Sequence, residues 1–302
     1  MKKVTLLFVS LLVVSLTFSQ EKTKKDTVQG PWKTGAKTSL NFSQVSLTNW
    51  AAGGENSISG NFLGNIYARY KKGNSQWENS FDLSYGLMKQ GEDDLIKTDD
   101  KLELVSKYGQ KAFMNNKNWY YSAILSFKTQ FAEGYDYPND SVKISDFMSP
   151  GYLLLAIGMD YSPNDFFSAS ASPLTGKVTV VNDQTLADNG AFGVEPGKHV
   201  RYEFGGYIKL NFKKEIWENV ELNSKLELFS NYFNNPQNID VNWDMLLSMK
   251  VNEFLAVTLN TTLIYDDDVN IEVDQNDDGI VDAVGPRTQF KEVLGVGLTF
   301  SF

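Results

Sequence analysis

The chain has 302 residues, a formal net charge of −9 and no cysteine. The acidic balance argues against nucleic acid as a partner, and the lack of cysteine excludes disulfides and a lipid-modified N-terminus. A hydrophobic share of 42% alone suggests a soluble domain, but an average hides any alternation of apolar and polar residues along strands.

The N-terminus is typical of a secretory signal peptide over residues 1–19. Lys2 and Lys3 precede an apolar run that ends at Phe18, and small residues lie at the expected cleavage offsets before Gln20. Residues 20–37 are rich in Lys, Gly and Thr without periodicity, so we expect a short periplasmic N-terminal segment there. The folded domain is predicted to span residues 38–302.

Twelve segments of alternating polarity follow in chain order. Successive side chains of a strand point to opposite faces, so such alternation predicts one apolar and one polar face. The clear segments are Ile58–Tyr70, Trp77–Leu87, Trp119–Phe131, Leu153–Tyr161, Val200–Phe212, Val220–Ser230, Val241–Met249, Leu255–Tyr265 and Val293–Phe302. The weaker ones are Ser39–Leu47, Lys101–Phe113 and Phe166–Val181, and Pro173 and Gly176 predict a bulge or bend in the last of these.

The last segment has the sharpest alternation. Leu294, Val296, Leu298, Phe300 and Phe302 are apolar, and the residues between them are small or polar. A final strand that ends on an aromatic residue is similar to the signal that outer-membrane assembly machinery recognises on β-barrels. We therefore predict that this machinery is a partner and that lipid covers the apolar face.

Connections between the predicted strands alternate between short and long, with Lys89–Asp100 among the long ones. Bacterial barrels have short periplasmic turns and long outer loops, and an even strand number places both termini on the periplasmic side. The predicted fold is therefore all-β: a single transmembrane antiparallel up-and-down β-barrel of twelve strands in the outer membrane. The alternative is a soluble β-sandwich whose aromatic residues fill a core.

The polar face of the predicted strands carries charges of both signs. Lys and Glu on adjacent strands can pair in a narrow, partly wet interior. We expect either a conduit for a small hydrophilic solute or an ion-pair network in a plugged barrel that serves as a surface binding or structural scaffold. The residues are Glu78, Asp82, Lys101, Glu103, Lys107, Lys128, Arg201, Glu203, Lys209, Glu221, Lys225 and Glu227.

The longest predicted outer loop, Asp266–Arg287, contains a motif typical of calcium sites. Residues 274–282 fit D-x-[DN]-x-[DN]-G with a further Asp at the ninth position, whereas the twelfth position is Gly285 and lacks the bidentate Glu of an EF-hand. We expect a calcium ion that orders the loop without taking part in chemistry, and the alternative is an acidic, solvated loop. The predicted ligands are Asp274, Asn276, Asp278, Asp282 and the carbonyl oxygen of Ile280.

Catalysis has little support in the sequence. The one histidine, His199, lies at the outer start of a predicted strand, and no nucleophile motif accompanies it. We expect no enzyme activity, and a hydrolase built around His199 is the alternative.

Several longer motifs, most of them in or beside the predicted outer loops, resemble those of a known family. These motifs are Asn49–Ser57, Tyr135–Ser141, Ser172–Lys177, Asn182–Asp188 and Asn235–Trp243. The chain resembles the domain-of-unknown-function 3078 family of uncharacterised Gram-negative outer-membrane proteins. The resemblance implies a β-barrel in the outer membrane and supplies no activity, substrate or catalytic residue.

Overall fold

The computed structural model describes residues 30–47, 55–137, 139–273 and 282–301. The chain divides into Met1–Gly30, of which only Gly30 is described, and Pro31–Phe302, which contains every strand named below. The predicted signal peptide, residues 274–281 of the predicted calcium loop and Phe302 lie outside the described residues.

Strands account for most of the described chain. They are β1 (Trp32–Val45), β2 (Ser57–Lys72), β3 (Ser75–Gln90), β4 (Ile96–Phe113), β5 (Asn116–Thr129), β6 (Gly134–Asp136), β7 (Asn139–Ser145), β8 (Gly151–Tyr161), β9 (Phe167–Val180), β10 (Val200–Trp217), β11 (Val220–Asn231), β12 (Asp240–Lys250), β13 (Leu255–Tyr265), β14 (Asn270–Val273), β15 (Ala283–Pro286) and β16 (Gln289–Ser301). A short helix, α1 (Gln184–Asp188), and one 3₁₀ turn (Ala191–Gly193) lie between β9 and β10. Among the described residues, no helix has the length and apolar character needed to cross a membrane.

Twelve of these strands form a closed antiparallel barrel, which confirms the predicted fold. Their order around the barrel is β1-β16-β13-β12-β11-β10-β9-β8-β5-β4-β3-β2. The first and last strands close it, in a register that runs from Lys37 opposite Ser301 to Phe42 opposite Val296. The remaining pairs, β6-β7 and β14-β15, are separate two-stranded sheets inside long connections.

The predicted alternation of short and long connections holds with one exception. Lys89–Asp100 was predicted as a long connection, which is wrong, because β3 runs to Gln90 and β4 starts at Ile96. The strand β4 can begin early because its first charged residues have partners at the barrel mouth. Lys97 Nζ lies 2.9 Å from Asp100, and Asp99 contacts Lys291. We call the two rims the short-turn end, where β1 starts and β16 finishes, and the long-loop end.

The first strand begins at Trp32, six residues before the predicted start of the barrel at residue 38. Residues 32–37 pair with β2, and the Trp32 ring lies 5.2 Å from that of Tyr70 and 5.8 Å from that of Trp77. Partner strands and aromatic contacts thus hold a Lys- and Gly-containing segment whose own sequence shows no period.

The exterior of the barrel is apolar and the interior is polar. On β16, Leu294, Val296 and Leu298 are 63%, 49% and 44% exposed, whereas Thr299 between two such positions is buried. The opposite arrangement would be expected of a soluble protein, whose apolar face turns inward. The sandwich alternative is therefore wrong, and the alternation has the sense expected of a membrane barrel.

Aromatic residues form a girdle at each rim. At the short-turn end the ring pairs include Trp119–Tyr161 at 4.8 Å and Phe254–Phe300 at 6.0 Å. At the long-loop end they include Tyr85–Phe131 at 5.0 Å. Amphipathic rings favour the boundary between hydrocarbon and water, so the two girdles delimit an apolar band.

The predicted bulge in β9 lies at Pro173. Opposite β8, Leu174 pairs with Ile157 but Ala171 pairs with Met159, and the register shifts at the same place opposite β10. Proline cannot donate to a strand ladder, and the extra residue reverses the phase of the strand. Even-numbered residues face inward before Pro173 and odd-numbered residues face inward after it, which brings Lys177 into the lumen.

Candidate functional site

The barrel lumen contains a network of ion pairs built from the wall strands. All of the predicted lumen charges except Lys128 contact an oppositely charged or amide side chain there. Lys128 lies opposite Glu103 in the β4–β5 register, and within the described chain no carboxylate oxygen comes within 4.0 Å of its Nζ.

An ion pair crosses the middle of the lumen from one wall to the opposite wall. Lys101 Nζ on β4 lies 3.1 Å from Glu103 of the same strand and 2.9 Å from Asp244 on β12. Five strands separate β4 from β12 in either direction around the barrel, so this pair joins diametrically opposed walls. The Asp244 carboxylate also accepts a hydrogen bond from the Thr262 hydroxyl at 2.8 Å.

A second chain of charges joins β4 to β10 and β11. Lys225 contacts Glu103 and lies 3.5 Å from Glu227, and Lys209 lies 2.8 Å from Glu227. The Tyr207 hydroxyl donates to Glu227 at 2.8 Å. Glu103 therefore connects this chain to the bridge between Lys101 and the opposite wall.

These contacts require the opposed walls to lie close together. A circular twelve-stranded barrel is roughly 24 Å across, for a strand spacing of about 4.8 Å and a tilt of about 40°. Lys and Asp side chains in contact separate their Cα atoms by at most about 13 Å. The barrel is therefore narrowed between β4 and β12, and side chains occupy the remaining gap.

Further pairs cross the lumen near both rims. Toward the long-loop end, Lys177 on β9 lies 2.8 Å from Asp240 on β12, and Lys291 on β16 contacts Asp99 on β4. Toward the short-turn end, Lys37 on β1 lies 3.1 Å from Glu221 on β11. The bore is thus bridged at three levels, in each case by side chains of the strands that form its wall.

Seven of these charges are not among the predicted lumen residues, for three different reasons. Asp160 and Asp244 lie within predicted strands and have their inward phase, so the alternation was sufficient to find them. Four residues, Lys37, Asp99, Asp240 and Lys291, lie outside the predicted strand limits. Lys177 has the wrong phase unless the bulge at Pro173 is counted.

Two long connections form an ordered cap at the long-loop end. Lys143 on β7 lies 2.8 Å from Glu133, 2.8 Å from Asp146 and 3.3 Å from Asp183. Hydrogen bonds to Asp146 and Glu133 are the largest cause of a raised Lys143 pKa. The Asp183 carboxylate caps α1 through the backbone N–H of Leu186 at 3.0 Å, which lowers the pKa of Asp183 further than the Lys143 ammonium does.

An apolar cluster supports the same cap. It lies between the end of β9 and the start of β10 and consists of the buried side chains Val181, Leu186, Ala187 and Val194. Buried apolar contacts and the ion pairs of Lys143 with three carboxylates account for an ordered connection where the sequence predicts only a long loop.

The remaining predicted site residues are placed as follows. Asp274, Asn276, Asp278 and Ile280 lie outside the described residues, and Asp282 is exposed directly before β15. In the ranges that the structure describes, no group of three or more His, Cys, Asp or Glu side chains is arranged to hold a metal ion. The imidazole of His199 lies with Nδ1 2.7 Å from the Val181 carbonyl oxygen.

Comparison with known proteins confirms the resemblance over part of the chain. Residues 42–135, from β1 to β6, match the model of a family described as a protein of unknown function (DUF3078). No curated protein matches the chain. Similar solved structures include an outer membrane channel from Pseudomonas putida F1, at 12% identity over 94% of this chain and 100% of that chain with a TM-score of 0.39. They also include the translocator domain of the autotransporter NalP from Neisseria meningitidis, at 9% identity over 99% and 96% of the two chains with a TM-score of 0.32.

Proposed function

We propose that this protein is an outer-membrane β-barrel that forms a narrow conduit for small hydrophilic solutes and is closed at rest by its lumen ion pairs. The observation that supports it best is the way the bore is bridged. The contacts between Lys101 and Asp244 and between Lys37 and Glu221 join side chains of wall strands. Such bridges can break by rotation of side chains without unfolding any strand.

The apolar exterior supports a place in the bilayer. The band between the two aromatic girdles would face lipid, with the short-turn end in the periplasm and the long loops outside. The proposed engagement of β16 by assembly machinery fits this orientation, because both termini of the barrel are then on the periplasmic side.

The composition of the lumen favours a water-filled path. Charged groups are costly to bury without water, and apolar side chains fill a permanently closed interior at less cost. A solute that carries hydrogen-bonding groups can replace one partner of a bridge as it passes, so the same charges serve as a closed gate and as a binding path.

A second candidate is a permanently closed barrel that acts as a surface scaffold. The narrowing between β4 and β12 favours it, because opposed walls that are drawn together leave little room for a solute. On this alternative the ordered cap around Lys143 and the proposed calcium loop would present the binding surface.

Single-channel recording in a planar bilayer separates the two candidates. We expect brief, small openings for the natural protein, and a severalfold larger conductance for Lys101→Ala with Asp244→Ala, since the pair of substitutions removes the wall-to-wall bridge without leaving an unpaired charge. The matched control is Lys72→Ala with Asp165→Ala, which removes one charge of each sign from exposed positions at the short-turn end and should leave the conductance unchanged.

Circular dichroism and the heat-dependent change in electrophoretic mobility establish that each variant has folded into a barrel. If folded natural protein and folded bridge variant are both silent, the bridge between Lys101 and Asp244 is not the gate of a conduit and the scaffold is favoured. If the control variant conducts as strongly as the bridge variant, the bridge is not the gate.

A further inference from the structure

A cavity of about 580 Å³ opens at the long-loop end, and two residues of the lumen network, Arg201 and Glu203, form part of its wall. It lies at the start of β10, between the β9–β10 connection and the loop that follows β11, and Asp268 closes one side. Its volume falls within the range of about 300–1,000 Å³ that is typical of small-molecule sites.

An exposed aromatic ring forms one wall. Phe233 is 84% exposed, and its ring stacks on that of Phe204 at 6.1 Å and 28°. The Tyr232 ring also makes an edge contact with Phe204 at 6.0 Å. An exposed apolar ring at a cavity wall favours a ligand with a flat apolar face.

Two amide side chains supply unused hydrogen-bonding groups next to this ring. The Oδ1 of Asn231 accepts a hydrogen bond from the Phe233 N–H at 3.0 Å, which leaves its Nδ2 without a partner among the described residues. The Nδ2 of Asn234 donates to Asp268 at 3.3 Å, and the Oδ1 of Asn234 has no partner among the described residues. Adjacent hydroxyl groups, each able to donate and to accept, match one free donor and one free acceptor.

The cavity wall has no excess of positive charge, because three carboxylates face two basic side chains. Arg201 lies 2.8 Å from Glu203 and 3.2 Å from Asp268, so its guanidinium already has two carboxylate partners. The other charged residues of the wall, Glu195 and Lys198, have opposite signs. A neutral ligand therefore fits better than a phosphate or a carboxylate.

The walls are held in place before any ligand arrives. Asn235 adopts a positive φ of 45°, and its carbonyl oxygen accepts from the Asn238 N–H at 2.8 Å in a tight turn. The Ser230 hydroxyl donates to the Pro236 carbonyl oxygen at 2.6 Å. A loop that is already ordered adds little entropy cost to binding.

We propose that this cavity binds a neutral sugar ring, stacked on Phe233 and hydrogen-bonded through vicinal hydroxyls to Asn231 and Asn234. A pyranose has the required combination of an apolar C–H face and an edge of hydroxyl groups. The site lies at the long-loop rim of the barrel, and binding there does not require that the barrel conducts.

The test uses the full-length protein in detergent micelles, with calorimetry and saturation-transfer NMR. The probes are maltose, cellobiose and N,N′-diacetylchitobiose, with glucose 6-phosphate as the charged comparison. We expect at least one neutral disaccharide to bind more tightly than the phosphate. Phe233→Ala should weaken that binding about tenfold, a typical loss for a stacking contact, and Asn231→Ala with Asn234→Ala should also weaken it. The matched control is Trp217→Ala, which removes a 72% exposed ring at the opposite rim and should leave binding unchanged.

Lipopolysaccharide in vesicles distinguishes the source of the sugar. Competition by lipopolysaccharide indicates a glycan of the cell's own surface, and its absence indicates a soluble saccharide; either outcome supports the site. The proposal is overturned if no neutral disaccharide binds, if glucose 6-phosphate binds more tightly, or if Phe233→Ala binds as well as the natural protein. Conductance is measured separately, so failure of this site leaves the conduit unaffected.

Discussion

Replacing Lys177 with methionine tests whether the lumen ion pairs stabilise the barrel. The Lys177 ammonium lies 2.8 Å from Asp240, 3.5 Å from Glu203 and 3.7 Å from Asp266. It also lies 4.9 Å from the centre of the Phe229 ring. Methionine has a similar length and keeps the packing of the stem, so Lys177→Met removes mainly the charge.

The expected loss of stability depends on which basic partners the three carboxylates keep in the variant. Glu203 still has Arg201 at 2.8 Å, but among the described residues Asp240 and Asp266 have no other basic side chain within 4.0 Å. Removing one partner of a buried ion pair costs about 3–5 kcal/mol, and because the side chains here are partly exposed we expect a loss of about 3 kcal/mol in the free energy of unfolding.

Urea unfolding of the folded barrel in lipid vesicles, followed by tryptophan fluorescence, measures this change. Lys177→Arg should lose much less, because it keeps the charge, and Lys177→Met with Asp240→Leu should be more stable than Lys177→Met alone. The reasoning is refuted if Lys177→Met costs less than about 1 kcal/mol, or if the double variant is the less stable of the two.

Two further predictions concern the long-loop end. Calcium should protect the segment 274–282 from proteolysis in the natural protein but not after Asp274→Ala with Asp278→Ala; equal protection in both would mean that the loop is only solvated. The lowered pKa of Asp183 means that its contribution to the cap is present above the pKa of a free aspartate, about 3.9, and is lost as the pH falls through the lower folded value. Proteolytic cleavage within the cap should therefore become faster in acid. The Lys143→Gln variant should be cleaved readily at neutral pH as well. A cleavage rate of the natural protein that is independent of pH would contradict the role of Asp183 in the cap.

The number of barrel strands, their approximate limits and the direction of each face could be predicted from the sequence. A period of two places every apolar side chain of a strand on one face, and this rule needs no knowledge of neighbouring strands. The observed β13, Leu255–Tyr265, has the predicted limits, and the exposed row from Leu294 to Phe300 on β16 has the predicted orientation. The bulge at Pro173 was predictable for a similar reason, because proline lacks the N–H that a strand ladder needs.

That the bulge turns Lys177 into the lumen could not be predicted from the sequence. It depends on the register of β9 opposite β8 and β10 after the extra residue. The sequence also could not show whether the lumen charges form ion pairs with each other or line an open pore. Lys101 and Asp244, for example, are far apart along the chain and lie on opposed walls.

What the sequence by itself determined is the barrel, because each strand carries its own alternation as a local property. What only the tertiary structure decided is the bridged state of the lumen and the cavity beside Phe233. Both depend on distances between residues remote in sequence, and those distances are set by strand order, register and the narrowing between β4 and β12.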